Sequence, residues 1–394
     1  MPDTDTWAAE RFLAFCAVYG GSKVRPLAES TRLESAGLDR LRAAVPLILA
    51  AQRKILAHLL DTRGPGEVLR LCGVPAELTP WISVLRDPWL DCQPIMRIDA
   101  VQAADGTVWI CELNIDSSVG IAEAAELRRL EEVAAGVDPQ PTPYEDLATM
   151  LGPMLADSGA DRICLLDWSS WDGYGMYDLE WMRRVLEARL PGIRVSIATE
   201  KDGLDAIDSR TLVYRVFMAE DAMADLDFVS HLFERAGAVV TDFSCELLGS
   251  KVWMAILQDP QYDFLLDEPS RAAIATVIPP TVVVSADNRA ALLASRADLF
   301  FKSACDFGGH GVISGRAVAQ DELARLLESE LSKVWIAQQA VEPARIEIRQ
   351  AGSSMPASAR SVLGLFRFGQ HWSGILVRAS HESDIINAAG GSAV

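Results

Sequence analysis

The sequence predicts an α/β protein with a helical amino-terminal region, and three observations carry that prediction. Apolar residues recur at helical spacing through residues 1–90. A β-hairpin with an Asp-Gly tip follows at about residue 95. Beyond residue 160, short apolar runs alternate with helical segments, the pattern of a small, mainly parallel sheet covered by helices.

In chain order, helices are expected over Trp7–Tyr19, Leu38–Leu60 and Gly66–Leu71, with breaks at Gly20-Gly21 and Arg63–Gly66. Strands Ile95–Gln102 and Thr107–Glu112 flank the turn Ala104-Asp105-Gly106. A helix follows over Gly120–Val133, then a polar stretch with Pro139, Pro141 and Pro143. The α/β layer comprises strands Arg162–Leu166, Arg194–Ala198, Thr211–Phe217 and Ala238–Thr241 and helices Tyr177–Leu190 and Phe228–Ala236. Ligands of such sheets bind beyond the carboxyl ends of the strands. Then come a helix over Glu246–Leu257, an apolar run Ile274–Val284 interrupted by Pro279-Pro280, and a strand Leu299–Lys302 entering Gly308-Gly309-His310-Gly311. A helix Glu322–Leu331, a strand Val334–Gln339 and a hairpin of Val362–Phe368 with Ser373–Arg378 close the chain.

The 394 residues, half of them hydrophobic, can bury a large core and suggest two or three domains. The net charge of −19 argues against a nucleic-acid or anionic-membrane partner, and it leaves room for a local basic pocket. Seven scattered cysteines form no Cys-x-x-Cys pair and read as reduced, mostly buried thiols of a cytoplasmic protein. Five distant histidines offer no zinc spacing. The apolar run Ala43–Leu60 is broken by Gln52, Arg53 and Lys54, so a buried helix is expected there rather than a membrane span.

Chemistry concentrates in the hairpin. Residues two apart on a strand share a face, so Arg97 projects with Asp99 and Glu112 with Asn114. Two carboxylates and an amide supply hard oxygens for magnesium, and Arg97 can reach a phosphoryl group. The same pattern fits an exposed hairpin face with an ion pair. Lys302 beside the glycine-rich turn, with Gly308, Gly309 and Gly311, can meet phosphates with an ammonium and backbone N–H groups, although a plain turn fits too. Lys251, the strand end Gln338-Gln339 and Arg378 mean little singly.

Together, in this order, these residues resemble the circularly permuted ATP-grasp ligases, and among them the synthetase domain of glutathionylspermidine synthase. The likeness is carried by Arg97-Ile98-Asp99, by Glu112-Leu113-Asn114-Ile115-Asp116-Ser117-Ser118, and by Glu123-Ala124 beyond. Downstream it extends to Gly249-Ser250-Lys251, Phe301-Lys302 with its glycines, Ile336–Gln339, and Gly364 to Arg378. The metal motif precedes both lysines, as in the permuted branch. The resemblance implies an α/β fold with α+β lobes, an ATP-grasp fold that is circularly permuted. The likeness covers about 90–394, where its parts would be a metal-binding hairpin and helix over 91–155, a small parallel α/β substrate domain over 156–245, and nucleotide-binding lobes over 246–394; the helical region over 1–90, read from periodicity, stands outside it.

The resemblance also implies a carboxylate–amine ligase working through an acyl phosphate, with ATP and Mg2+. Asp99, Glu112 and Asn114 would hold the metal. Lys251, Lys302, Gly308, Gly309, Gly311 and Gln338 or Gln339 would hold the nucleotide, and Arg97 and Arg378 would be catalytic. The family's Asp-Thr-Pro becomes Asp116-Ser117-Ser118 here, and its Arg-Glu becomes Arg378-Ala379, so its substrates are not carried over. No Cys/His amidase domain is read ahead of the ligase motifs, and the bifunctional form is not expected. Ser117, Ser118, Ser169, Ser170, Trp171 and Asp172 are the candidates for substrate contact; a packed surface loop fits the last four equally. Small-molecule carboxylate and amine substrates are expected, with γ-glutamyl transfer to an amine one candidate and a homodimer left open. A carrier-protein thiol or peptide amine as acceptor, and a non-catalytic nucleotide-binding protein, are the alternatives.

Overall fold

The computed structural model describes residues 33, 35–90, 95–115, 125, 128, 132, 136, 138, 141–171, 174–306, 311–329, 333–348, 356–381 and 385–386. The expected helix Trp7–Tyr19, most of Gly120–Val133, and Asp116, Ser117, Ser118, Asp172, Gly308 and Gly309 lie outside the described residues.

Helix α1 (Ser35–Cys72) comes first, then β1 (Ile95–Gln102), β2 (Val108–Asn114) and helix α2 (Pro143–Ser158). The alternating region runs β3 (Arg162–Asp167), α3 (Tyr174–Arg189), β4 (Arg194–Thr199), β5 (Thr211–Arg215), α4 (Leu226–Arg235) and β6 (Ala238–Val240). Helices α5 (Ser244–Gly249) and α6 (Glu268–Val277) lead to β7 (Thr281–Val283), α7 (Arg289–Ala294), β8 (Leu299–Ser303), β9 (Val312–Ser314), α8 (Gln320–Ser329) and β10 (Trp335–Gln339). Strands β11 (Arg345–Ile348), β12 (Ala357–Phe368) and β13 (His371–Ser380) end the described fold.

Three sheets result. Strands β4-β3-β5-β6 form a sheet that is parallel throughout, as the alternation predicted. Strands β7-β10-β8-β9 form an antiparallel sheet. In the third, the long β12 pairs with β1 and β11 along one edge and with β13 along the other, and β2 extends it beyond β1.

Helix α1 buries Leu41, Val45, Ile48, Ile55 and Leu59 completely, one stripe at helical spacing. Its first turns are long and apolar enough to cross a membrane by length and composition, yet half of that window is buried within the protein. Gly64, at φ +75°, interrupts the helix where the glycines and Pro65 predicted a break. A side chain at Gly37 would overlap the Gly106 carbonyl and Val108, so α1 rests directly on the tip of the hairpin.

Several expectations are corrected. The proline-bearing stretch before residue 160 is mostly helix α2, because Pro143 occupies the first turn, where a missing N–H costs nothing, and Glu145 accepts from Thr142 N at 2.6 Å. The run Ile274–Val284 divides into the end of α6 and strand β7; α6 is capped by the preceding Asp267, whose side chain accepts from Ser270 N. The single helix expected over Glu246–Leu257 is two short ones, α5 and Trp253–Ile256, because Ser250 adopts an extended conformation after Gly249. That break sets the position of Lys251.

Candidate active site

The hairpin register places Arg97 opposite Asn114 and Asp99 opposite Glu112, so the four polar groups share one sheet face. On the other side of β1, Asp99 faces Gly364 of β12, and Arg378 of β13 faces Val362 two residues away. The apolar end of this face, with Ile95, Phe366, Phe368 and Leu376, forms one core with Tyr144, Leu147 and Leu151 of α2. The polar end carries the cluster.

Asp99 is its centre. Arg97 Nε donates to Oδ1 at 2.8 Å and Nη2 to Oδ2 at 3.1 Å. Arg378 Nη2 stands 2.8 Å from Oδ1. Burial alone would raise this carboxyl, but the charges of Arg378 and Arg97 overcome it and hold Asp99 well below the ordinary carboxylate range. Arg378 is itself buried, and among the described residues its Nε has no hydrogen-bond acceptor. A Cβ at Gly364 would lie 3.0 Å from Arg97 Cδ and 3.3 Å from Asp99 Oδ1. The missing side chain makes room for the pair.

Two lysines enter from other elements. Lys251 follows the break after α5, and its N–H donates to Ala304 O at 2.8 Å. Its Nζ donates to Asp306 O and stands 3.5 Å from Glu112 Oε2. Lys302 of β8 crosses to the other antiparallel sheet and donates to Cys111 O at 2.9 Å and to Gln338 Oε1 at 2.7 Å. The Cys111 carbonyl is available because the β1–β2 register shifts between Asp99 and Ala100, leaving Cys111 without a partner on β1. Gln338 is held in turn by Thr281 Oγ1, 3.2 Å from its Nε2. Gln339 is exposed, so the structure brings Gln338, and not Gln339, to Lys302. Gly311 has φ +66°, and a side chain there would overlap Asp306 and Ser303.

Asn114 Nδ2 donates to Arg97 O at 3.2 Å, which leaves the amide oxygen as a hard ligand beside Glu112. Among the described residues no three His, Cys, Asp or Glu side chains form a metal-holding group. The expected set has only two carboxylates, Asp99 and Glu112, and its third member is the Asn114 amide. Arg97, Arg378, Lys251 and Lys302 outnumber Asp99 and Glu112, so the cluster is locally cationic in a strongly acidic chain.

The substrate candidates of the α/β layer are not joined to this cluster by any of these bonds. Ser169 gives both polar groups to Glu200: its N–H reaches Oε2 at 2.6 Å and its hydroxyl reaches Oε1. Ser170 is exposed, and Trp171 lies in a short helical turn. Nearby Asp167, the last residue of β3, accepts from Trp168 N at 2.8 Å. Burial pushes its carboxyl up to about 6, and the charges of Asp221 and Glu200 add to the rise. The described cysteines are free thiols, and burial pushes Cys72, Cys111, Cys164 and Cys305 upward.

Sequence reasoning missed the Cys111 carbonyl, the Asp306 carbonyl and Thr281. Only Gly364 had a legible signal of its own, a glycine inside an apolar strand, which marks a close approach.

No protein-family model matches the sequence, and no curated relative matches it. Among solved structures, the chain is similar to a glutathione synthetase-like effector from Globodera pallida in its apo form. Identity is 15%, the match covers 95% of this chain and 94% of that one, and the TM-score is 0.60. The chain shares the fold of this glutathione synthetase-like protein.

Proposed function

We propose that this protein is an ATP-dependent carboxylate–amine ligase that forms an amide and releases ADP and phosphate. The observation that supports it most is the cationic cluster: Arg97 and Arg378 around Asp99 on one sheet, met by Lys251 and Lys302 from two other elements. Such a group suits a polyphosphate whose terminal phosphoryl is transferred. The neighbour's description as glutathione synthetase-like agrees with this reading.

In this reading Lys251, Lys302 and the Gly308–Gly311 loop hold the phosphates of ATP. Gln338, fixed by Lys302 and Thr281, faces the base from strand β10. Asp99, Glu112 and Asn114 would hold magnesium, and their two carboxylates and one amide fit its preference for oxygen ligands. Bound there, the metal would neutralise phosphate charge. A carboxylate oxygen of the substrate attacks the γ-phosphorus, the bond to the bridging oxygen breaks, and ADP leaves. The amine lone pair then attacks the acyl carbon, phosphate departs, and the amine proton passes to solvent. Arg97, anchored through two hydrogen bonds, stabilises the transferring group, and Arg378 donates Nε to the oxygen on which charge develops. Lys302, released from the Cys111 carbonyl, turns to phosphate.

The test is a screen of purified protein with MgATP, amino acids and small amines, read by mass spectrometry. Amide with ADP supports the reading. Amide with AMP overturns the acyl-phosphate route.

A further inference from the structure

We infer that Arg215 is the positioning residue for Lys251, an inference that rests on the phosphate-binding role proposed above for that lysine. Arg215 ends β5 with no solvent exposure, although the site it serves is on other elements. A fully enclosed guanidinium is costly to desolvate and persists only where its surroundings satisfy it. Here they do. Nε donates to Thr241 O at 2.8 Å, Nη1 to Phe217 O, and Nη2 to Cys245 Sγ at 2.7 Å. Glu246 Oε1 lies 3.6 Å from Nη1. The guanidinium carbon stands 4.4 Å from the centre of the Phe243 ring and 5.5 Å from that of Phe217.

Four of these partners, Thr241, Phe243, Cys245 and Glu246, belong to one segment, the entry and first turn of α5. Arg215 therefore fixes where α5 begins and how it is rotated about its axis. The helix is too short to absorb an error before it ends at Gly249. At that end there is no slack, because a Cβ on Gly249 would stand 3.3 Å from the backbone nitrogen of Ile115, the residue after β2. Gln52 Nε2 holds Leu248 O at 2.6 Å, and Ser250 Oγ holds Cys72 O at 2.8 Å. Lys251 follows, 3.5 Å from Glu112. A shift at Cys245 is carried along a rigid turn to the lysine that meets Glu112. Lysine cannot replace Arg215, since it lacks the planar fork that reaches three acceptors while stacking on a ring.

The experiment is acetylation of the full-length protein by a water-soluble N-hydroxysulfosuccinimide ester, followed at single lysines by peptide mass spectrometry. Lys302, held on a different sheet by Cys111 O and Gln338, is the internal control. In Arg215→Lys, acetylation of Lys251 rises about tenfold while Lys302 stays within about twofold. Cys245→Ala removes one acceptor and gives a smaller rise at Lys251; it carries the test if Arg215→Lys does not fold. Unchanged Lys251 reactivity, or equal rises at both lysines, overturns the inference. As an activity readout, Arg215→Lys raises KM for ATP more than it lowers kcat, and adding it to Lys251→Ala changes nothing further. Additive losses count against the inference. A wild-type protein that binds no nucleotide would defeat the ligase reading, and the acetylation pattern would still decide the role of Arg215.

Discussion

Asp167→Asn replaces a carboxylate that the fold holds under strain of burial, and it should stabilise the protein above neutral pH. Asp167 is 5% exposed, its carboxyl accepts from the neighbouring Trp168 N–H, and that carboxyl is pushed up to about 6 by burial, then by Asp221 and Glu200. The folded protein thus binds this proton more tightly than the unfolded chain. Stability from this group is complete below the ordinary value of 3.8 and is lost as pH rises through about 6. At about 1.4 kcal/mol per pH unit, the interval corresponds to an upper value of about 3 kcal/mol. Asparagine keeps an oxygen for Trp168 N and does not ionise. Thermal melts of both proteins from pH 4 to 8 should converge at pH 4 and diverge as pH rises, the variant ending up to about 4 °C higher. A variant that melts lower at pH 8, or a gap that does not change with pH, would refute the reasoning.

Three further outcomes follow from the site. Asp99→Asn leaves Arg97 and the buried Arg378 without their shared carboxylate, and loss of one partner of a buried pair costs about 3–5 kcal/mol. Calorimetry should show Tm about 4–6 °C lower; a change within about 2 °C contradicts the role given to Asp99. Gly364→Ala forces a Cβ against Arg97 and Asp99, and should cost about 1 kcal/mol of stability while lowering turnover more than overpacking alone explains; unaltered turnover would show that the Arg97 position does not matter. Gln338→Ala should weaken ATP binding by about tenfold, with Gln339→Ala unchanged, and fluorescence titration distinguishes the two.

The hairpin was legible because its chemistry obeys the period of a strand. Arg97 with Asp99, and Glu112 with Asn114, follow from spacing of two, and the Asp-Gly turn brings the strands together. The parallel layer was legible for the same reason, periodicity confined between turn signals. What escaped depended on backbone irregularity or long-range contact. The bulge that frees the Cys111 carbonyl for Lys302 leaves no mark in residue type. Lys251 read as part of a continuous helix, since nothing local separates a helical Ser250 from an extended one. Helix α2 was hidden because prolines argue against helix unless they occupy its first turn, and Pro143 does. The choice between Gln338 and Gln339 needed the pairing of β10 with β8, which orients one inward and the other to solvent.

The central claim is that the cluster around Asp99 binds magnesium nucleotide. Isothermal titration calorimetry of the full-length protein with ADP, with and without magnesium, tests it most directly. Binding that strengthens with magnesium, and that falls by about tenfold or more in both Lys302→Ala and Glu112→Ala, is the predicted result. Absent binding, or binding undiminished in both variants, would contradict it.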